Sequence, residues 1–105
     1  MWAQIIKTHL KPGKDADTEL AHLMDQFKAS EQENSGLIRS TAMRDAKDPS
    51  AVYIMVVFDT EESARAREQD TRREPGLQAA RETMAEIFDG GFEFVDLNVV
   101  VESTF

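Results

Sequence analysis

The chain has 105 residues, twenty of them Asp or Glu against twelve Lys or Arg, giving a formal charge of −8 and a pI near 4.7. That balance argues against nucleic acid or an anionic membrane as the main partner. The absence of cysteine removes disulfides, thiolate metal sites and a cysteine nucleophile. No apolar run reaches the length of a membrane span. The N-terminal MWAQIIKTHLKPG lacks the charged, apolar and small-residue regions of a signal peptide, so a cytoplasmic location is expected. The length fits a single domain over 1–105 with one modest core.

In chain order, Trp2–Lys11 reads as a first strand. Trp2, Gln4, Ile6, Thr8 and Leu10 share one face, and Ala3, Ile5, Lys7 and His9 the other. Pro12-Gly13 stops it. Asp15–Asn34 reads as a long helix with Asp15 as N-cap and an apolar stripe of Leu20, Leu23, Met24 and Phe27. Asn34-Ser35-Gly36 is a good terminator. Leu37–Asp45 is a second strand, joined by the short polar link Ala46–Ser50 to Ala51–Asp59, so the two should pair antiparallel.

The run AVYIMVVFD at Ala51–Asp59 organises the rest. Val52, Ile54, Val56 and Phe58 fall on one face of a strand, and Tyr53, Met55 and Val57 on the other. A strand apolar on both faces must be covered on both. Thr60 is the next N-cap, opening a helix that runs to about Asp70. After a break at Arg72–Glu74, Pro75 is placed as the first residue of another helix. Leu77, Ala80, Met84, Ile87 and Phe88 form its stripe, and Asp89-Gly90-Gly91 ends it. Phe92–Glu102 is the last strand.

The order β-α-β-β-α-β is ferredoxin-like. It predicts an α+β two-layer sandwich, a four-stranded antiparallel sheet with helices on one face. The uncovered face would still carry Tyr53, Met55, Val57 and apolar residues of the first and last strands, a patch monomers rarely expose. The expected partner is a second copy, sheet against sheet, in a homodimer.

With these elements laid out, the chain resembles the antibiotic biosynthesis monooxygenase superfamily of dimeric α+β barrels. The matching features are Lys11-Pro12-Gly13 after the first strand, the hairpin into Ala51–Asp59, Phe58-Asp59-Thr60 where that family often has Trp-Glu-Ser, the Pro75–Met84 helix and the final strand. The resemblance implies a ligand pocket between sheet and helices. It implies a cofactor-independent monooxygenase acting with dioxygen on an aromatic or polycyclic compound, or else a non-catalytic dimeric small-molecule-binding or stress-related module. In the haem-degrading branch, an asparagine, a tryptophan and an axial histidine are expected where this chain has Ile6, Arg67 and Arg81. Arginine cannot serve as an axial ligand, so no haem and no other cofactor is expected.

Neither histidine has the carboxylate spacing of a metal site. His22 lies on the solvent side of its helix; His9, near the end of the first strand, is either a base near neutral pH or a polar residue at a sheet end. Arg65, Arg67, Arg72, Arg73 and Arg81 are either an anion site or a solvated face whose partners include Glu61–Arg65 and Glu68–Arg72 at i,i+4. Trp2, Tyr53 and Phe58 are either core or the lining of an aromatic pocket. Arg81 falls between Leu77 and Met84 on the helical wheel, so it either snorkels, pairs with a carboxylate such as Asp96, or points into the sheet–helix cleft, where the resemblance puts a ligand contact at its position. Gln4, Phe58 and Asn98 complete the ligand-binding candidates; no catalytic residue and no metal ligand is assigned.

Overall fold

The computed structural model describes residues 1–105. The elements follow as β1 (Trp2–Leu10), α1 (Ala16–Ser30), β2 (Leu37–Arg44), β3 (Ala51–Phe58), α2 (Glu61–Glu68), a 3-10 turn (Thr71–Arg73), α3 (Glu74–Ile87) and β4 (Phe88–Asn98). The four strands form one antiparallel sheet in the order β2-β3-β1-β4. This is the ferredoxin-like α+β sandwich that the sequence pattern predicts.

Register decides which side chains meet the helices. Trp2, Gln4, Ile6 and Thr8 stand opposite Phe58, Val56, Ile54 and Val52. Side chains alternate along a strand, so this whole row lies on one face. Val52, Ile54 and Leu10 pack there with Leu20 and Leu23 of α1 and Ala80 and Ile87 of α3. Leu23, Val52 and Ile87 are fully enclosed, each worth about 1.5–3 kcal/mol over exposure. The opposite face carries Ile5, Met55, Tyr53 and Lys7 and no helix.

The helix starts follow local chemistry. Asp15 caps α1, its Oδ2 accepting from the Thr18 amide at 3.1 Å; Thr60 caps α2 by accepting from the Ser63 amide at 3.1 Å. Pro75 sits in the first turn of α3, where its missing N–H is harmless. α1 ends at Ser30, short of the expected Asn34.

The last strand differs most from expectation. α3 ends at Ile87 and β4 begins at once with Phe88, so Asp89-Gly90-Gly91 lies inside the strand. The glycines form a bulge: the two steps from Lys7 to His9 on β1 face four steps, from Glu93 to Asp89, on β4. Gly90 takes φ 82°, which a side chain would strain. The ladder runs to Asn98, opposite Trp2, and the Val99 amide still donates to the Met1 carbonyl at 3.1 Å. Glu102 then reaches Arg39 of β2 at 3.4 Å, so the C-terminal residues turn back across the sheet. Ala3 and Val57, in the same ladder row as Arg39, are 7% and 3% exposed.

α3 approaches α1 through its smallest residues. A Cβ built on Gly76 would sit 2.6 Å from the Ser30 Cβ. The contact line of α3 therefore runs through Gly76, Ala80 and Ile87, with Ala80 and Ile87 buried.

Candidate functional site: a cavity between sheet and helices

A cavity of about 620 Å³ opens between the sheet and the helices, within the usual size of small-ligand sites. α1 and α3 are drawn together by the Gly76 contact, while α2 sits over one end of β1 and β3. Gln4, Ile6, Ile54 and Val56 are left as the floor. Met24 and Phe27 of α1 form one wall and Ala64 and Arg67 of α2 the other. One end is closed by Trp2 against Phe58, ring centroids 6.1 Å apart, with Ala64 buried on them. At the mouth stand Phe92 and Phe94, 40% and 59% exposed. The aromatic side chains line the space and do not fill it; Phe88 belongs to the core instead.

Two arginines of α2 pack on the aromatic end, Arg67 from the cavity wall and Arg65 from outside it. The Arg65 guanidinium lies 5.2 Å from the Trp2 ring centroid and that of Arg67 5.6 Å from the Phe58 ring centroid, both within cation–π range. Arg65 also reaches Asp96 at 3.3 Å, and Asp96 accepts from the Gln4 amide at 2.8 Å. This chain fixes the Gln4 side chain on the cavity floor. The hydrogen bond from Gln4, joined by that from Arg65, holds the Asp96 carboxyl below its ordinary range.

The most enclosed charges on the lining are Glu31 and Arg67, whose side chains are 20% and 16% exposed. Arg67 donates from Nε to both carboxylate oxygens at 3.0 and 2.9 Å, and its Nη2 lies 2.8 Å from Oε2. Burial pushes the Glu31 carboxyl up, but the hydrogen bonds and charge of Arg67 outweigh it and hold it below the usual range. Behind them Arg73 is buried, its Nη1 donating to the Arg67 carbonyl at 3.0 Å.

The candidates from sequence divide. Gln4 and Phe58 line the cavity together with Trp2. Asn98 stands opposite Trp2 at the end of β4 and is exposed, outside the lining. Arg81 is corrected: it does not point into the cleft. Its side chain is 51% exposed and paired with Glu74, Nη1 to Oε2 at 2.8 Å. The contact line of α3 is centred on Ala80, one residue and about 100° away, because small residues set the closest approach. The surface reading of the other arginines is also corrected for Arg67 and Arg73, while Arg72 is a surface residue on Asp70 at 2.7 Å. The Glu61–Arg65 pair forms at 3.4 Å. Glu68–Arg72 does not: α2 ends at Glu68, so Arg72 leaves the helix and Glu68 pairs with Arg65 at 3.3 Å. His9 is exposed, 4.0 Å from Asp48 at the sheet end, and His22 is exposed on α1. Ile6 and Arg67 share the cavity with each other but not with Arg81. Glu31 was the side chain that sequence reasoning missed. It lies 36 residues from Arg67, and no local spacing links them.

Fold and cavity together define a ferredoxin-like α+β sandwich with a cavity between its sheet and helices. Solved structures agree over nearly the whole chain. A protein from Nitrosomonas europaea, provisionally assigned as an antibiotic biosynthesis monooxygenase, superposes with a TM-score of 0.69 at 18% identity, covering 96% of this chain and 100% of that one. Another with the same assignment, from Chloroflexus aurantiacus, gives 0.65 at 22% identity, over 98% and 96%. A variant of SnoaB, a cofactor-independent oxygenase from Streptomyces nogalater, gives 0.66 at 14% identity, over 96% and 94%. At these identities the likeness is one of fold. No protein-family model and no curated protein matches the sequence.

Proposed function

We propose that the protein holds an aromatic or polycyclic small molecule in the sheet–helix cavity and oxidises it with dioxygen, without a cofactor, as a homodimer. The cavity of about 620 Å³ carries this reading: its mostly apolar floor, the Trp2–Phe58 pair at one end and the Gln4 and Arg67 donors on its lining suit a planar ring system with one or two oxygen substituents. In such chemistry the substrate itself provides the electrons. A methylene flanked by aromatic rings loses a proton, the carbanion adds dioxygen, and the hydroperoxide sheds water to leave a carbonyl. One oxygen atom stays in the product and the other leaves as water. The Gln4 amide and the Arg67 guanidinium are the groups available to steady the developing oxyanion, while Trp2 and Phe58 hold the rings.

A second reading, a dimeric binding module without catalysis, has its own support. No histidine lines the cavity, and its most enclosed carboxylate, Glu31, is tied to Arg67 and depressed in pKa, which makes it a poor base. The dimer is supported by the sheet face that no helix covers and the C-terminal residues cover only in part, where Met43 and Leu97 are 39% and 40% exposed.

Trp2 is the only tryptophan and lines the cavity, so its fluorescence reports occupancy. Titration with polycyclic phenols and anthrones should quench it saturably, and an oxygen electrode should record uptake with at least one of them. Binding without oxygen uptake across the panel would select the second reading. No saturable quenching with any member would overturn both.

A further inference from the structure

Behind one wall of the cavity, the arginines outnumber the carboxylates bonded to them. At the junction of α1, α2 and α3, Arg72 takes Asp70 at 2.7 Å, Arg81 takes Glu74 at 2.8 Å and Arg67 takes Glu31 at 2.8 Å. Arg73 takes none. It is 6% exposed, its Nε has no partner, and its one side-chain hydrogen bond goes to the Arg67 carbonyl. Its charge is repelled by Arg67 and Arg81 and attracted by Glu31 and Asp70, neither of whose carboxylates bonds to it. A buried cation with no carboxylate bonded to it is costly and adds positive charge behind Arg67, which favours an anion there. Arg67 is the member of this group that lines the cavity. Glu31 engages its Nε and Nη2 and leaves Nη1 unbonded. The guanidinium also lies over Phe58, so a ring packed beside Phe58 could carry its own oxygen anion to Nη1.

We infer that the cavity selects an anionic aromatic ligand, a carboxylate or phenolate on a planar ring system, with Arg67 reading its charge and Glu31 competing for the same guanidinium. The inference rests on the binding reading above and narrows its ligand class. The other charged groups of the lining, Lys28 and Arg39 against Asp25 and Glu68, are exposed and offset one another. The chain's −8 opposes an anion, but it is spread over surface groups and screened beyond about 8 Å at physiological salt. The enclosed Arg67 is screened less, so the local charge prevails.

Isothermal titration calorimetry with 2-naphthoate and its neutral amide, 2-naphthamide, at pH 7.5 tests this. The acid should bind at least about tenfold more tightly than the amide, a gap of about 1.4 kcal/mol. Glu31→Gln should tighten the acid several-fold and leave the amide unchanged. The double variant Glu31→Gln with Arg67→Gln keeps two side chains able to hydrogen-bond and should erase the preference while retaining the amide; circular dichroism and thermal unfolding verify its fold. Equal affinity of wild type for acid and amide would overturn the charge selection and leave the aromatic-binding reading standing. A weaker acid affinity in Glu31→Gln would also overturn it. Binding of neither probe would sink both.

Discussion

Gly76 sets the spacing of α1 and α3, and its replacement by alanine tests how the cavity is framed. An alanine Cβ there would lie 2.6 Å from the Ser30 Cβ and 3.0 Å from the Ser30 Cα. Carbon atoms normally rest about 3.5–4.0 Å apart. The second atom is backbone, so no rotamer change relieves the clash and the helices must separate by roughly 0.5–1 Å. Overpacking of this kind costs about 1–3 kcal/mol. Alanine recovers about 0.5–1 kcal/mol in helix preference, less than the clash costs. Gly76→Ala should therefore lose roughly 0.5–2 kcal/mol, at about 4–8 °C of Tm per kcal/mol for a domain of this size. Urea and thermal unfolding at fixed protein concentration would measure it. Adding Ser30→Gly removes the nearer clashing atom, so the double variant should be more stable than the two single losses sum to. A Gly76→Ala protein as stable as wild type, or more so, would refute the close-contact explanation.

Three other outcomes are expected. Glu31 has a folded pKa below its ordinary 4.5, because its bonds and charge contact with Arg67 outweigh the opposing effect of burial; its stabilisation is full above that value and fades as pH falls below it. Urea unfolding between pH 6 and pH 3 should accordingly show a steeper loss for wild type than for Glu31→Gln, and parallel curves would count against the pair. Arg81→Met should leave ligand affinity and the unfolding midpoint nearly unchanged, since Arg81 is outside the cavity; a tenfold loss of binding would return it to the site. Met55→Asp places a charge on the sheet face that no helix covers and should convert a dimer to a monomer by light scattering, whereas a monomeric wild type at micromolar concentration would refute the sheet-face pairing.

Sequence alone settled the fold through periodicity, which is a local property. The two-residue alternation of Trp2–Leu10 and Ala51–Phe58 marked the face that meets the helices. Asp15 and Thr60 marked where α1 and α2 begin, because a cap is a contact between residues three apart. The same face assignment put Gln4 and Phe58 on the cavity floor and end. Asp89-Gly90-Gly91 reads locally as a helix stop, whereas the pairing of Phe88 with Leu10 on β1 makes it a bulge inside the strand.

The site depended on distances that no local pattern encodes. A helical wheel built from the bulky residues Leu77 and Met84 rotated Arg81 inward; the real contact is made by Gly76 and Ala80, because the closest approach of two helices occurs where side chains are smallest. Arg67 looked like part of a solvated face until tertiary packing brought Glu31 to it from the end of α1. The opening itself was a matter of tertiary geometry alone. Trp2, Phe27 and Phe58 could have filled the space between sheet and helices, and what keeps it open is how tightly α1 meets α3 and how short α2 is, both set by contacts between residues distant in the chain.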